Sequence, residues 1–550
     1  MEDSTPHRYY SVDRMTEPNA TAQSTQSQVQ ILQEELILLK NATLIDGSGA
    51  APRSADLLLS GERIAAIGFF TPPPHARTLD CTGLIAAPGF LDAHSHSDLQ
   101  VLRGRMEKTL QGVTTEIVGN CGFSPYPMAQ HAQEVRQFAN GILCGRQNWG
   151  WPSASAYLDA LASAPHANVY SLIGHGSLRI EVAGNQQRSL TEPEMDRMEH
   201  LLDEALCAGA IGFSTGLMYA PGSCAPEREL ERLCRVVARH GKVYASHMRS
   251  YSSGLEGAVE EQLELARRTG CRLQISHLQA VGRDNWTKQA AVLERIAAAA
   301  QSGVDVAFDC YPYTAGNSTL TQMAPQWALD GGLDALVERL RHTVTRRRIL
   351  EETRASMALP WSDVVLTSVA SGENQPLVGK NLDQIAHLRR QDPAETLLDL
   401  LLEEHGEATM LTFNQSQENL RQTVTHPLSI IISDGLYVRG KAHPRLHGTF
   451  PFLLGELCRG RRWLSLEDAI HKITGQPAER FGIRGRGLLK PGYYADVTLF
   501  DPATIDSKAD YDSPERPPAG VHHVFRNGKR LDLPSTLSPG SGQVGGQPNA

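Results

Sequence analysis

The chain has 550 residues, more than one hydrophobic core accommodates, so a large domain with at least one smaller module is expected. With 41% hydrophobic and 21% charged residues and a formal net charge of −9, it has the balance of a globular protein and lacks the basic footprint of a nucleic-acid binder. The N-terminal stretch has no signal-like apolar core, and no apolar run approaches the roughly 20 residues of a membrane span. Nine cysteines without framework spacing fit a reducing compartment, so a cytoplasmic location is expected.

In chain order, residues 1–36 are polar and rich in Ser, Thr and Gln, which predicts a disordered tail, as does the Pro/Gly/Ser-rich end over 533–550. Residues 37–86 hold short strand-like segments broken by glycine turns. The pattern returns over 476–532, in KPGYYADVTLFDP and HHVFRNGKRL, so both ends are expected to build one small β-sandwich. Between them, residues 87–475 alternate apolar strands with amphipathic helices, the signature of βαβ units. Thr191 to Glu194 form a capping box that opens a helix with Met195, Met198, Leu201, Leu202 and Ala205 on one face, and Gly209 closes it. Eight strands are predicted, within GLIAAPGFLDAHSH, VTTEIVGNC, NVYSLIGHG, AIGFSTG, KVYASHM, RLQISHL, VDVAFDCYPY and LSIIISDG. The expected fold class is α/β, a (β/α)₈ TIM-type barrel. The seventh and eighth strands are separated by far more chain than a connection needs, which predicts a lid insertion within 318–410.

Five predicted strands end in groups that bind metals, at the end where barrel enzymes build their sites. The first ends in His94-Ser95-His96, the second in Asn120-Cys121-Gly122, the fifth in His247, the sixth in His277 and the eighth in Asp434. An isolated His-x-His is weak, since period two merely places both rings on one strand face. Each remaining group also has a bland reading: a satisfied core histidine, a buried cysteine acting as a small hydrophobe, an aspartate capping a helix. Recurrence at matching strand tips, with His247 and His277 one βα unit apart at equal height, favours metal ligands. Imidazole and thiolate are ligands that zinc prefers.

This constellation resembles the amidohydrolase superfamily and, within it, the N-acyl-D-amino-acid deacylases. The resemblance runs over roughly residues 37–530, through PGFLDAHSHSD, GNCGFSP, GAIGFSTGLMYAPG, SHMR, SHLQ, YPYTAG, SDG, HPRLHGTFP and KPGYYADVTLFDP. It implies hydrolysis of small N-acyl-D-amino acids with a tight zinc on Cys121, His247 and His277. A second, weaker metal position is implied at His94, His96 and Asp434. Asp434 is implied as the proton shuttle, Arg445 as the anchor of the substrate's α-carboxylate and Tyr311 as a second anchor. Where the best-known members have a lysine, this chain has Gln279, which donates a hydrogen bond without charge. His175, closing the third strand, is a further candidate for the pocket lining. The expected partner is a small molecule, with no nucleic acid and no membrane. Two alternatives stand beside this: a cyclic amidohydrolase of the hydantoinase or dihydroorotase kind, weakened by the absence of lysine from AIGFSTG, and a catalytically silent barrel serving as a binding protein.

Overall fold

A computed structural model of the chain describes residues 35–144 and 148–533. The expected tails fall outside the described residues except at their inner edges. Eight parallel strands form the central sheet: Phe90–Asp92, Val113–Val118, Asn168–Gly174, Gly212–Gly216, Val243–His247, Arg272–Ile275, Val306–Cys310 and Ser429–Ile431. Neighbours in sequence are neighbours in space. The ring closes between its first and last members, where Ser95 bridges Gly435, the Asp434 N–H donates to His94 O at 2.9 Å, and the His96 N–H donates to Gly435 O at 3.2 Å.

Alternation of side chains along each strand decides what lies inside the ring. Leu172, Val243, Ala245, Ile430 and Ile432 belong to a buried cluster that fills its lower interior together with Ala478, Phe481 and Ile483. Their sequence neighbours Ile173 and Tyr244 join the larger cluster formed with the surrounding helices. The same period carries His247 and Asp434 inward, at the upper end of the fifth and eighth strands. Truncating a fully buried member such as Leu172 to alanine removes about 2–5 kcal/mol.

The helices follow their sequence signals. Glu192–Ala208 begins with the Glu194 carboxylate accepting the Thr191 N–H at 2.8 Å and ends at Gly209 in the left-handed conformation, and it buries Met195, Met198, Leu202 and Ala205. Leu201 is only half-buried.

The expected sandwich takes the form of one eight-stranded sheet drawn from both ends of the chain, in which Ile85–Pro88 pairs antiparallel with Val497–Phe500. One boundary shifts as a result. The segment expected to be a single first barrel strand divides at Gly89, with Ile85–Pro88 in the end sheet and only Phe90–Asp92 in the barrel. Between the seventh and eighth barrel strands, Ala315–Thr319, Val364–Ser368 and Thr409–Phe413 make a third sheet, covered by helices such as Thr343–Ser356 and Pro393–Glu403 around their own core. Among the described residues no helix is long and apolar enough to cross a membrane.

Candidate metal centre

Every strand-tip residue singled out above, except His175, converges on the upper mouth of the barrel. Cys121 is held by glycine on both sides. A Cβ at Gly119 would stand 2.1 Å from Leu172 O, and one at Gly122 would stand 2.7 Å from Gly216 N, so only glycine lets this loop lie against the neighbouring strands. The Cys121 Sγ then sits 3.3 Å from His94 Nε2 and 3.4 Å from His277 Nε2.

His247 arrives by strand alternation, whereas His277 does not. Ser246 pairs with Ile275, so His277 lies one residue beyond equal height with His247, and Leu273 and Ile275 on its own parity face outward. A left-handed turn at His277, with φ of 35°, brings it in. Cys121 and Asp434 also lie in this region, with φ of 55° and 48°. Such backbone costs energy and persists where the surroundings over-determine it, a pattern associated with functional sites. The His247 and His277 ring centroids end 4.6 Å apart.

The donor set suits a metal. One Sγ and two ring nitrogens from Cys121, His247 and His277 lie within 4.8 Å of one another, and His94, His96 and Cys121 form a second such group that shares the thiol. Neither ring nitrogen of His247 has a hydrogen-bond partner, and His277 Nδ1 has none. Orphaned buried polar atoms cost about 1–3 kcal/mol each, and a cation at the centre removes part of that cost. Burial holds the His247 imidazolium far below its ordinary range and brings His277 down to about 4, so both rings are neutral and have lone pairs to give. Burial also pushes the Cys121 thiol up, an effect that coordination to a cation reverses. At His94 burial opposes charge, yet the neighbouring Cys121 and Asp309 lift it well above the ordinary value.

Asp434 faces two ways. Its Oδ1 lies 3.2 Å from His96 Nε2 and 3.6 Å from His94 Nε2, and its Oδ2 lies 2.9 Å from Arg445 Nη1. Burial alone would raise its pKa, but Arg445, then His96 and the other rings, hold the carboxyl well below the usual range. Beneath it, Lys108 and Ser433 both bond Asp92, and the Ser433 N–H donates to Asp92 Oδ1 at 2.9 Å, which pins the eighth strand tip to the first.

The guanidinium of Arg445 is fully buried and lies 4.5 Å above the Tyr311 ring. None of its three nitrogens makes an aligned hydrogen bond to the protein. The Tyr311 hydroxyl donates to Gln279 Oε1 at 2.9 Å, which leaves the Gln279 amide N–H groups for a ligand. These residues, with Asp434 and the metal-suited cluster, line one cavity of about 400 Å³, whose outer wall comes from the insertion.

His175 goes elsewhere. It opens the helix His175–Ala183 with its ring turned away from the cavity, 2.8 Å from Glu229 Oε1, and Arg179 pairs with the same carboxylate. A buried histidine bonded through Nε2 to a carboxylate of a neighbouring helix is a packing element, so the expectation of a pocket residue is corrected.

Sequence reading missed Asp309. Its Oδ1 accepts the His277 N–H at 2.6 Å and lies 3.5 Å from His94 Nδ1, and its Oδ2 accepts from Gln274 Nε2 at 2.9 Å. The signal was present: Asp309 is an acid inside the apolar strand VDVAFDC, two residues before Tyr311 and therefore on the same inward face.

Residues 77–532 match the amidohydrolase family. The chain is 35% identical over 495 residues to a D-aminoacylase of Alcaligenes xylosoxydans xylosoxydans, across 90% of this chain and 93% of that protein. It is 36% identical over 501 residues to an N-acyl-D-glutamate deacylase of the same organism, across 90% and 94%. A crystal structure of N-acyl-D-glutamate deacylase from Bordetella bronchiseptica, complexed with zinc and a phosphonate mimic of the tetrahedral intermediate, matches with a TM-score of 0.78 and 33% identity, across 91% of this chain and 97% of that one.

Proposed function

The chain belongs to the amidohydrolase family, and from that membership we propose that it is a zinc-dependent hydrolase of linear N-acyl-D-amino acids, releasing a carboxylate and a free D-amino acid. The observation that carries this reading is the meeting of Cys121, His247 and His277 at one point of the barrel mouth. We read these three as the holders of a tight zinc, with His94, His96 and Asp434 around a second, weaker position. Such a metal supplies an activated nucleophile and polarises the scissile carbonyl.

The chain's own residues account for the rest. Arg445, whose Nε and Nη2 have no hydrogen-bond partner, binds the α-carboxylate, and Tyr311 and Gln279 complete that subsite. This fixes the amide over the histidine cluster and reduces the entropy loss in reaching the transition state. Asp434 accepts a proton at Oδ1 from the attacking water and returns it to the departing nitrogen. A substrate carboxylate at Arg445 opposes the positive field that holds Asp434 low, so the filled site has a stronger base than the empty one. The insertion forms the outer wall of the cavity and is read as the cover that excludes water.

Hydrolysis of a cyclic amide has less support, because the fourth strand Gly212–Gly216 has no lysine. All nine cysteines are free, which supports a cytoplasmic setting. The test is a panel of N-acetyl-D- and N-acetyl-L-amino acids assayed with zinc and with a chelator. Turnover of the D series that chelation abolishes is expected, whereas turnover of only the L series, or turnover indifferent to chelation, would contradict the proposal.

A further inference from the structure

The cavity above the candidate metal centre holds very little charge. Among the described residues that line it, Arg445 is the only lysine or arginine and Asp434 the only carboxylate, and the two face each other. The remaining surface is neutral: amides and hydroxyls, among them Asn317, Gln322, Gln326, Thr353 and Asn414, share it with a set of apolar side chains. Met218, Met323, Met357 and Met410 all border the space, four of the chain's 11 methionines, together with Leu359 and Leu436. Met218 follows the fourth barrel strand, whereas Met323, Met357, Met410 and Leu359 come from the insertion, so the wall facing the strand tips is its contribution.

We infer that this wall is the side-chain subsite, and that the enzyme selects N-acyl-D-amino acids with flexible apolar side chains, of the methionine and leucine class, over those with acidic ones. The inference rests on the deacylase reading and adds the substrate class to it. Methionine side chains are unbranched and polarisable, and they fill gaps of irregular shape, so a surface built from them accepts several apolar side chains of similar size. A glutamate or aspartate side chain would bring a second carboxylate into the cavity. The one basic side chain there already faces Asp434 and is the anchor for the α-carboxylate, so the second charge would meet only neutral donors, such as the Asn317 amide and the Thr353 hydroxyl, and no counter-ion of its own.

The experiment compares kcat/KM of the zinc-replete enzyme for N-acetyl-D-Met, N-acetyl-D-Leu, N-acetyl-D-Glu and N-acetyl-D-Asp. The apolar pair is expected to lead by about 10-fold or more, the size of effect of burying a carboxylate on neutral donors without a counter-ion. A cation placed in the wall by Met357→Arg should move the Glu-to-Met ratio toward glutamate by about 10-fold or more. Preference of the unaltered enzyme for glutamate or aspartate overturns the apolar subsite and leaves the deacylase reading standing. An unchanged ratio in Met357→Arg removes this wall from side-chain selection. Failure of all four substrates in zinc-replete protein overturns the deacylase reading itself, and the subsite with it.

Discussion

Nη1 of Arg445 stands 2.9 Å from Oδ2 of Asp434, and both side chains are buried. On the proposed reading, one cation serves two anions in turn, the resident carboxylate and that of the substrate. Arg445→Ala should raise KM by about 10-fold or more, the loss of a charge-assisted contact, while zinc content stays the same. Steady-state kinetics beside metal analysis decides it, and an unchanged KM would remove Arg445 from substrate binding.

Asp434→Asn keeps the shape of the side chain and removes its capacity to take a proton. The expected loss in kcat is about 10²–10⁴-fold, the usual range for a positioned acid–base group. Zinc on Cys121, His247 and His277 should remain, so the assay is made on protein of verified metal content. Near-normal turnover would refute the assignment.

Cys121 belongs to both candidate ligand groups, which makes it the most informative position for metal retention. Cys121→Ser exchanges a strong zinc ligand for a weak one and should lose most of its zinc on dialysis, with activity restored only at a large excess of the metal. Elemental analysis after dialysis reads this directly. Full zinc retention would mean that the tight site lies elsewhere.

Asp309 touches the site through His277 and His94. Asp309→Asn retains an oxygen for the His277 N–H and removes the charge, so zinc affinity should fall by about 10–100-fold, as for other residues that support metal ligands. A competition titration with a chromophoric chelator measures it. A structural role alone would lower the melting temperature and leave the zinc affinity where it was.

Lys472 gives a pH prediction remote from the metal. Its Nζ donates to His426 O, Ser429 O and Ser429 Oγ at the foot of the eighth strand, and burial brings its pKa down to about 8. The unfolded chain, where lysine titrates near 10.4, holds that proton more tightly. Between those values the contribution of Lys472 to stability rises with pH, and below about pH 8 the whole penalty of burying its charge is present. The melting temperature of the parent protein relative to Lys472→Met should therefore be higher at about pH 9.5 than at about pH 7.5. A difference independent of pH would show that the ammonium is not destabilised by its burial.

Much of this architecture was legible because it obeys short periods. Alternation along KVYASHM and LSIIISDG places His247 and Asp434 inward from sequence alone, and the capping box at Thr191 marks a helix start without reference to the rest of the fold. What escaped depended on contacts between distant segments. The division at Gly89 arises because Ile85–Pro88 finds its partner more than 400 positions later, in Val497–Phe500. His175 had the right place on its strand, but Glu229, brought in by a later helix, holds its ring. The methionines that border the cavity had no motif at all, since they come from separate pieces of the insertion and from the loop after the fourth strand.

The bonds that complete the sheet run between His94 and Asp434 and between His96 and Gly435, through the very residues that crowd the barrel mouth. Docking of the last strand thus closes the ring and brings Asp434 to the histidines of the first strand in one event. A chain stalled before its final strand docks has no finished cylinder and lacks Asp434 and Arg445 beside the cluster, so a population of partly folded molecules should be inert and not weakly active.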